Sequence, residues 1–368
     1  VTHALLLLAA LQAADAAPPR LLVGVNYFAG WWEELPNKWH GHGWTAAEPD
    51  WRPLYPNRVP LLGDYNDQPT MDREIAAAAD HGVDFFSLLW YYAPAGSKNE
   101  HDAQRLNRGL DNFLASPNAG RMKFIVEYCN PGAFSATTDA QWADCIKVWV
   151  AAMKHPSYLR VGGRLVFKVH GADAFWATHG QDVARCRRDL DLLRQAVRDA
   201  GLGEMLIGGG IMSRSGVDPA GPWPKLWDFT ATYMSVPDAG VRADDQPYAE
   251  LAAEARTARG LHARDPIPWV PYLAAGWNPR PWTHPEADPG HRTFFAFPTR
   301  EEWTAELRAA RDDFARYPTL GLPLPDGGRQ PALTIYAWNE FGEGGMVAPT
   351  RGMGTMMLDG IREVFGHP

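Results

Sequence analysis

Apolar and polar positions along this chain alternate between two kinds of pattern. Short runs dense in apolar residues cover Leu21 to Tyr27, Asp84 to Tyr92, Lys123 to Cys129, Arg164 to His170, Glu204 to Ile211, Asp228 to Ser235, Ile267 to Ala274 and Ala332 to Trp338. Their length and content predict strands. Between them, apolar residues recurring at helical spacing predict helices over Met71 to His81, Arg105 to Ala115, Asp139 to Lys154, Gln181 to Ala200, Pro247 to Ala263, Thr299 to Tyr317 and Met353 to Phe365. The stretch after Ile211 lacks such a pattern. Strands this apolar, without regular alternation, suit a parallel sheet covered by helices on both faces. Eight such units predict an α/β fold of the (β/α)8 TIM-barrel type, a single domain over residues 20–368 with long strand-to-helix loops.

A doubly wound sheet is the competing architecture. It calls for a phosphate-binding turn after its first strand, and Gly24 to Gly30 carries only two widely spaced glycines. Gly208-Gly209-Gly210 also fails that pattern, since Ser213 stands where a third glycine belongs, and it reads as a close-packing turn. Connection lengths favour the barrel. Helix-to-strand links such as His81-Gly82-Val83 are short, whereas Phe28 to Thr70, Met212 to Trp227 and Ala275 to Pro298 are long strand-to-helix links. Long loops therefore collect on the C-terminal face, where barrels build their sites. These loops hold Trp31, Trp32, Trp39, Trp44, Trp51, Trp223, Trp277 and Trp282, half of the chain's 16 tryptophans. Indole faces match the C–H faces of a pyranose, so as a set they predict a sugar groove, although any one of them alone is better explained as a wedge that holds its loop in place.

Composition narrows the classes of function. With 46% hydrophobic and 21% charged residues the chain has material for a large core. A net charge of −8, with no basic run interleaved with aromatics, argues against a nucleic-acid partner. Ala4 to Leu11 is too short to span a bilayer and is followed by Ala13-Ala14-Asp15-Ala16-Ala17. Residues 1–17 thus read as a signal peptide, without the usual basic n-region, and predict a secreted or periplasmic protein with no membrane span in the mature chain. Cys129, Cys145 and Cys186 allow at most one disulfide, and buried free thiols are the favoured reading.

The candidate chemistry lies near the C-terminus. Trp338-Asn339-Glu340-Phe341-Gly342-Glu343-Gly344 sets two carboxyls three positions apart beside aromatics, directly after a strand. Cleaving an acetal needs one carboxyl protonated and another ionised, and Glu340 and Glu343 in unequal surroundings can supply both. The bland alternative is a solvated turn. Polar residues also end other predicted strands: Asn26 and Tyr27, Trp90 and Tyr91, Glu127 and Asn130, Lys168 and His170, Tyr233, and Asn339. Convergence of strand ends on one axis is what a barrel site requires. Glu127 stands out, because an acid inside an apolar run is costly unless paired or used. No metal-ligand spacing is present, so neither metal nor other cofactor is expected. Asp189 and Asp191 read as a solvated helix face.

Three segments together carry a resemblance: Trp338 to Gly344, Val59-Pro60-Leu61-Leu62-Gly63-Asp64-Tyr65 leading into Met71 to His81, and Phe85 to Tyr92. They resemble glycoside hydrolase family 99 and the looser family 71/99-like proteins found with polysaccharide-biosynthesis genes. The resemblance implies a metal-independent barrel that cleaves α-mannosidic linkages within a chain, with retention, through a 1,2-anhydro sugar. By position, Glu340 matches the base that takes the proton of the sugar 2-hydroxyl and Glu343 the acid that protonates the leaving oxygen. Tyr27, Trp90, Glu127 and Tyr233 fall near positions lining the substrate subsites. Tyr91, Lys168, His170, Trp338 and Asn339 complete the candidate substrate-binding set. Phe341-Gly342 departs from the bulkier aromatic and polar pair of the family's mannosidases, and Gly345-Met346-Val347-Ala348-Pro349 lacks the second acid common in the looser relatives.

The expected function is an endo-acting glycosidase on an oligo- or polysaccharide. A non-catalytic polysaccharide-binding barrel and a transferase of surface-polysaccharide assembly are the rivals. The oligomeric state is not legible.

Overall fold

All eight apolar runs become strands of one parallel sheet. The computed structural model describes residues 19–40, 48–211, 214–237, 244–283 and 293–366; the leader at 1–17 and Trp44 lie outside them. The strands are β1 (Leu22–Tyr27), β2 (Phe85–Trp90), β3 (Lys123–Tyr128), β4 (Arg164–Val169), β5 (Met205–Gly210), β6 (Phe229–Ala231), β7 in two pieces (Trp269–Val270 and Tyr272–Ala274) and β8 (Ala332–Tyr336). They pair in sequence order, and β8 returns to β1 with Leu22 opposite Ala332. Pro271, which has no N–H to give a ladder, divides β7. The first piece pairs with β6, the second with β8, and the Pro271 carbonyl accepts from Thr334 N at 2.9 Å, which closes the ring. The result is a single-domain (β/α)8 barrel.

The helices Gln68–Asp80, Asp139–Met153, Val183–Asp199, Tyr248–His262, Arg300–Arg316 and Met356–Phe365 surround the ring. Thr138 and Thr299 start two of them with reciprocal caps to Gln141 and Glu302. The predicted helix Arg105 to Ala115 is instead two, Glu100–Leu106 and Arg108–Ala115. At the break, the Asn107 side chain bonds both the N–H and the carbonyl of Tyr91, each at 2.8 Å, and so ties the helix pair to the end of β2. After β5, only the short helix Trp223–Leu226 forms, in keeping with the weak pattern there.

Period-two alternation sorts the barrel interior. Phe85, Ile125, Val166, Leu206, Phe229, Val270 and Ala332 make its apolar lower part, closed below by Leu159, Val161 and Leu322. Gly208-Gly209-Gly210 is strand rather than turn. Its close-packing role holds: a Cβ on Gly208 would lie 2.3 Å from the Phe229 ring, as one on Gly24 would lie 2.2 Å from Phe85. Two glycines thus make room for two phenylalanines within the ring. Higher up, the same inward positions carry Asn26, Ser87, Glu127, Lys168 and Tyr336, so the interior turns polar toward the C-terminal face.

Cys129, Cys145 and Cys186 are free and buried. Asp189 is not on a solvated face. It is buried and pairs with His179 at 3.0 Å, while Asp191 is exposed.

Candidate active site

Beyond β8 the chain forms a tight hairpin in which Asn339–Glu340 pairs antiparallel with Gly345–Met346. The Glu340 carbonyl accepts from Glu343 N at 3.1 Å and Gly344 N at 2.8 Å, and Gly344 takes φ +80, the left-handed region open to glycine. This turn carries both glutamates on one short segment. Arg58 clamps it from outside: buried, it donates to the Asn278 carbonyl at 2.7 Å, the Asn278 side chain at 2.9 Å and the Phe341 carbonyl at 3.2 Å. Asn278 N in turn donates to the Glu343 carbonyl at 2.6 Å.

The two carboxyls have separate phenol partners. Tyr233 donates to Glu340 Oε1 at 3.0 Å, and Tyr336 donates to Glu343 Oε2. The phenol rings meet edge to face at 5.0 Å. Burial, reinforced by the nearby glutamates, holds both phenols well above their ordinary range, so they act as donors. Glu340 is buried, and burial followed by the charge of Glu343 pushes its carboxyl well above the usual range, against the Tyr233 bond and Lys38. The charge of each neighbour opposes ionisation of the other. Lys38 lies over the Trp282 ring at 4.9 Å and the Phe28 ring at 5.5 Å. Burial pushes its ammonium down to about 8, although Glu340 and Glu343 favour its charge.

The Phe341-Gly342 departure has a local cause. A Cβ on Gly342 would sit 2.1 Å from the Trp282 indole, which therefore rests directly on the turn between the glutamates. Phe341 packs against Trp31 at 5.3 Å and Trp39 at 5.9 Å.

The opposite wall is a saturated carboxylate. Glu127 Oε2 accepts from Asn26 Nδ2 at 2.9 Å and Ser87 Oγ at 2.6 Å, and Oε1 meets Lys168 Nζ at 2.8 Å and His170 Nδ1 at 2.7 Å. Burial alone would raise Glu127. The charge of Lys168 and the bond from His170 outweigh it and hold the carboxyl at about 2. Burial pushes the Tyr91 phenol up, with smaller contributions from Cys129, Glu340 and Glu127.

The structure thus brings together Glu340, Glu343, Tyr233, Tyr91, Glu127, Lys168 and His170. It turns Tyr27, Trp90 and Trp338 away, contrary to the sequence expectation. Tyr27 and Trp90 occupy the outward parity of their strands, while Trp338 lies beyond the end of β8. Tyr27 donates to Glu74 Oε2 at 2.6 Å in the helix Gln68–Asp80, Trp90 packs on Trp149 at 5.4 Å, and the fully buried Trp338 packs on Phe86 at 5.1 Å. Asn339 is also corrected. Its amide bonds the N–H and carbonyl of Phe28 at 2.9 and 2.8 Å, which straps β1 to the hairpin and leaves nothing for a ligand. Tyr336, Lys38 and Ser87 were missed, whereas Asn26, named among the strand-end residues, faces in. The inward parity of Ala332, Thr334 and Tyr336 on β8 was the available signal for the first.

The sugar-groove reading of the loop tryptophans fails for four of them. Trp31, Trp32, Trp39 and Trp51 are buried. Trp31, Trp39 and Trp51 pack on one another, with Trp282 stacked on Trp31 at 5.7 Å. Three of the indole N–H groups are spent on the chain itself: Trp31 on the Asn339 carbonyl, Trp51 and Trp282 both on that of Lys38. Trp223 stands edge-on to Trp176, while the half-buried Trp277 lies 6.2 Å from Tyr336. Among the described residues no three His, Cys, Asp or Glu side chains are grouped to hold a metal, and no helix is long and apolar enough to cross a membrane.

No protein-family model matches the sequence, and no curated protein matches it either. Solved structures do resemble it in fold. A glycoside hydrolase-like protein superposes with a TM-score of 0.59 at 14% identity, covering 96% of this chain and 98% of its own. The GH99 endo-alpha-mannosidase from Bacteroides thetaiotaomicron superposes with a TM-score of 0.56, also at 14% identity, covering 93% and 98%. At this identity the likeness is one of fold: this chain shares the barrel architecture of those proteins over nearly its whole length.

Proposed function

We propose that this protein is a retaining, endo-acting glycoside hydrolase that cleaves an α-mannoside-type or related linkage in an oligo- or polysaccharide, with Glu340 and Glu343 as its working pair. The observation that carries this reading is one short turn presenting two carboxyls at the polar end of the barrel, each held by its own phenol and in unequal surroundings. Unequal surroundings are what let one carboxyl serve as acid and the other as base at an acetal. The shared fold with an endo-alpha-mannosidase supports it.

In the reaction, Glu340 takes the proton of the sugar 2-hydroxyl. The freed oxygen attacks C1, and Glu343 gives its proton to the departing glycosidic oxygen. Water then opens the 1,2-anhydro sugar, returning a proton to Glu343 as Glu340 reprotonates O2. No protein nucleophile is needed, which suits two carboxyls on one turn. Each positioned acid or base contributes on the order of 10²–10⁴ in rate.

A second assignment exchanges the roles. Glu340 is the more enclosed carboxyl and the one pushed upward, which favours it as the resting acid. The test is the release of reducing ends from α-mannan oligosaccharides and from aryl α-mannosides. Glu343→Gln is expected to lose roughly 10²–10⁴ of its rate on the oligosaccharide and to recover most of it on an aryl substrate with a good leaving group. Recovery in Glu340→Gln instead would establish the exchanged assignment. Binding with no new reducing ends in the wild-type protein would mark a non-catalytic barrel, and dependence on an activated sugar donor a transferase.

A further inference from the structure

We propose that His170 is a specificity-determining contact of this site: the Glu127 cluster locks the imidazole so that Nε2 accepts a hydrogen bond from a sugar hydroxyl. The inference rests on the glycoside hydrolase reading and goes beyond it, because it assigns to Glu127 a positioning part and to His170 the contact.

Glu127 is fully enclosed, and its oxygens are occupied by Asn26, Ser87, Lys168 and His170. It has neither exposure nor a vacant acceptor position for a ligand. An ionised carboxylate offers only lone pairs, so the ring nitrogen 2.7 Å from Oε1 must carry a hydrogen. The Lys168 ammonium at 2.8 Å from the same oxygen already balances the charge of Glu127. With its hydrogen on Nδ1, the neutral imidazole carries its lone pair on Nε2.

Among the described residues Nε2 has no hydrogen-bond partner. The side chain keeps 15% of its surface accessible, and the ring stands edge-on to Tyr233 at 4.8 Å. The Tyr233 hydroxyl is committed to Glu340, so it does not supply Nε2. A lone pair is thus left on a partly accessible side chain, one aromatic ring away from the catalytic pair. Sugar hydroxyls are donors of the required kind, and a deoxy sugar lacking that hydroxyl would be discriminated against.

Nitrogen NMR on protein labelled with 15N-histidine tests the first half without turnover. At pH 8 the His170 ring is expected to show the Nδ1–H tautomer, and its Nε2 signal to shift on saturation with an α-linked mannotriose. An Nε2–H tautomer, an imidazolium at that pH, or an Nε2 signal that the sugar leaves unmoved would overturn the proposal. The second half is kinetic. His170→Phe is expected to raise KM about tenfold, the worth of one hydrogen bond, with kcat nearly unchanged, and His170→Gln, whose carbonyl restores an acceptor, to bring KM most of the way back. Equal KM values in all three proteins would overturn it, whatever their thermal stabilities. Absence of turnover in the wild-type protein would count against the hydrolase reading, and the sugar titration would still decide this one.

Discussion

Two buried glutamates of one site, Glu127 and Glu340, are pushed in opposite directions. Both are removed from water, which raises a carboxyl's pKa. Glu127 meets a cation at 2.8 Å, an imidazole at 2.7 Å and two further donors, and is held at about 2. Glu340 has one phenol, with Lys38 opposing the second carboxyl of Glu343, and is pushed up. Burial sets the cost, and partners decide the outcome. The saturated carboxylate serves as scaffold, while the under-satisfied one is left with a proton to exchange.

The contrast can be broken from the scaffold side. Glu127→Gln leaves the Lys168 ammonium buried without its counter-charge, and is expected to cost about 3–5 kcal/mol, read as a lower urea midpoint. The stability of Glu127 also has a definite pH sense. Its folded pKa lies below the unfolded value of about 4.3, so its contribution is complete above that value and is lost as pH falls through about 2. The acid-side decline should be shallower in Glu127→Gln. An unchanged urea midpoint would remove Glu127 from the scaffold.

A smaller effect is expected at the turn between the glutamates. Gly342→Ala drives a methyl into the Trp282 indole, displacing the ring and Lys38 above it. Overpacking of this kind costs roughly 1–3 kcal/mol, and turnover should fall with it. Wild-type melting together with wild-type activity would show the indole free to move aside.

The smallest effect sharpens the comparison. Glu340 has its folded pKa raised, so the unfolded carboxyl gives up its proton first, and stability falls as pH rises from about 4.3 toward the folded value. This slope is opposite to that of Glu127. Glu340→Gln should abolish the decline and melt a few degrees higher than wild type near pH 8, on the order of 1 kcal/mol. A melting temperature equal to wild type across pH 5–8 would show the carboxyl ionising at no cost.

Much of this was legible beforehand. The eight strands follow from apolar runs too continuous for a half-exposed sheet, and each observed strand falls within its predicted run. The cost of Glu127 was legible because an acid after Phe124-Ile125-Val126 must be paired or used, but the expectation that it contacts substrate gives way to a fully enclosed carboxylate whose oxygens are occupied by the chain itself. Tyr27 and Trp90 were misplaced because adjacent residues at a strand end point to opposite faces, and naming both neighbours ignores that alternation; Trp338 lies past the last residue of β8, where the alternation no longer applies. Asn26 faces in where Tyr27 faces out. The tryptophans of the first long loop misled for another reason. A sugar platform and a loop wedge have the same composition, and only the nearby carbonyls of Lys38 and Asn339 reveal which was built.

By itself, the sequence determined the barrel and the pairing of Glu340 with Glu343, because apolar continuity and residue spacing are local properties of the chain. The tertiary structure alone decided which carboxyl is pushed up and which held down, which tryptophans are core and which strand-end residues face the barrel interior. Those depend on groups such as Lys168, Tyr233, Tyr336 and Trp282 that are distant along the chain, or on opposite faces of one strand, and that become neighbours only when the ring closes.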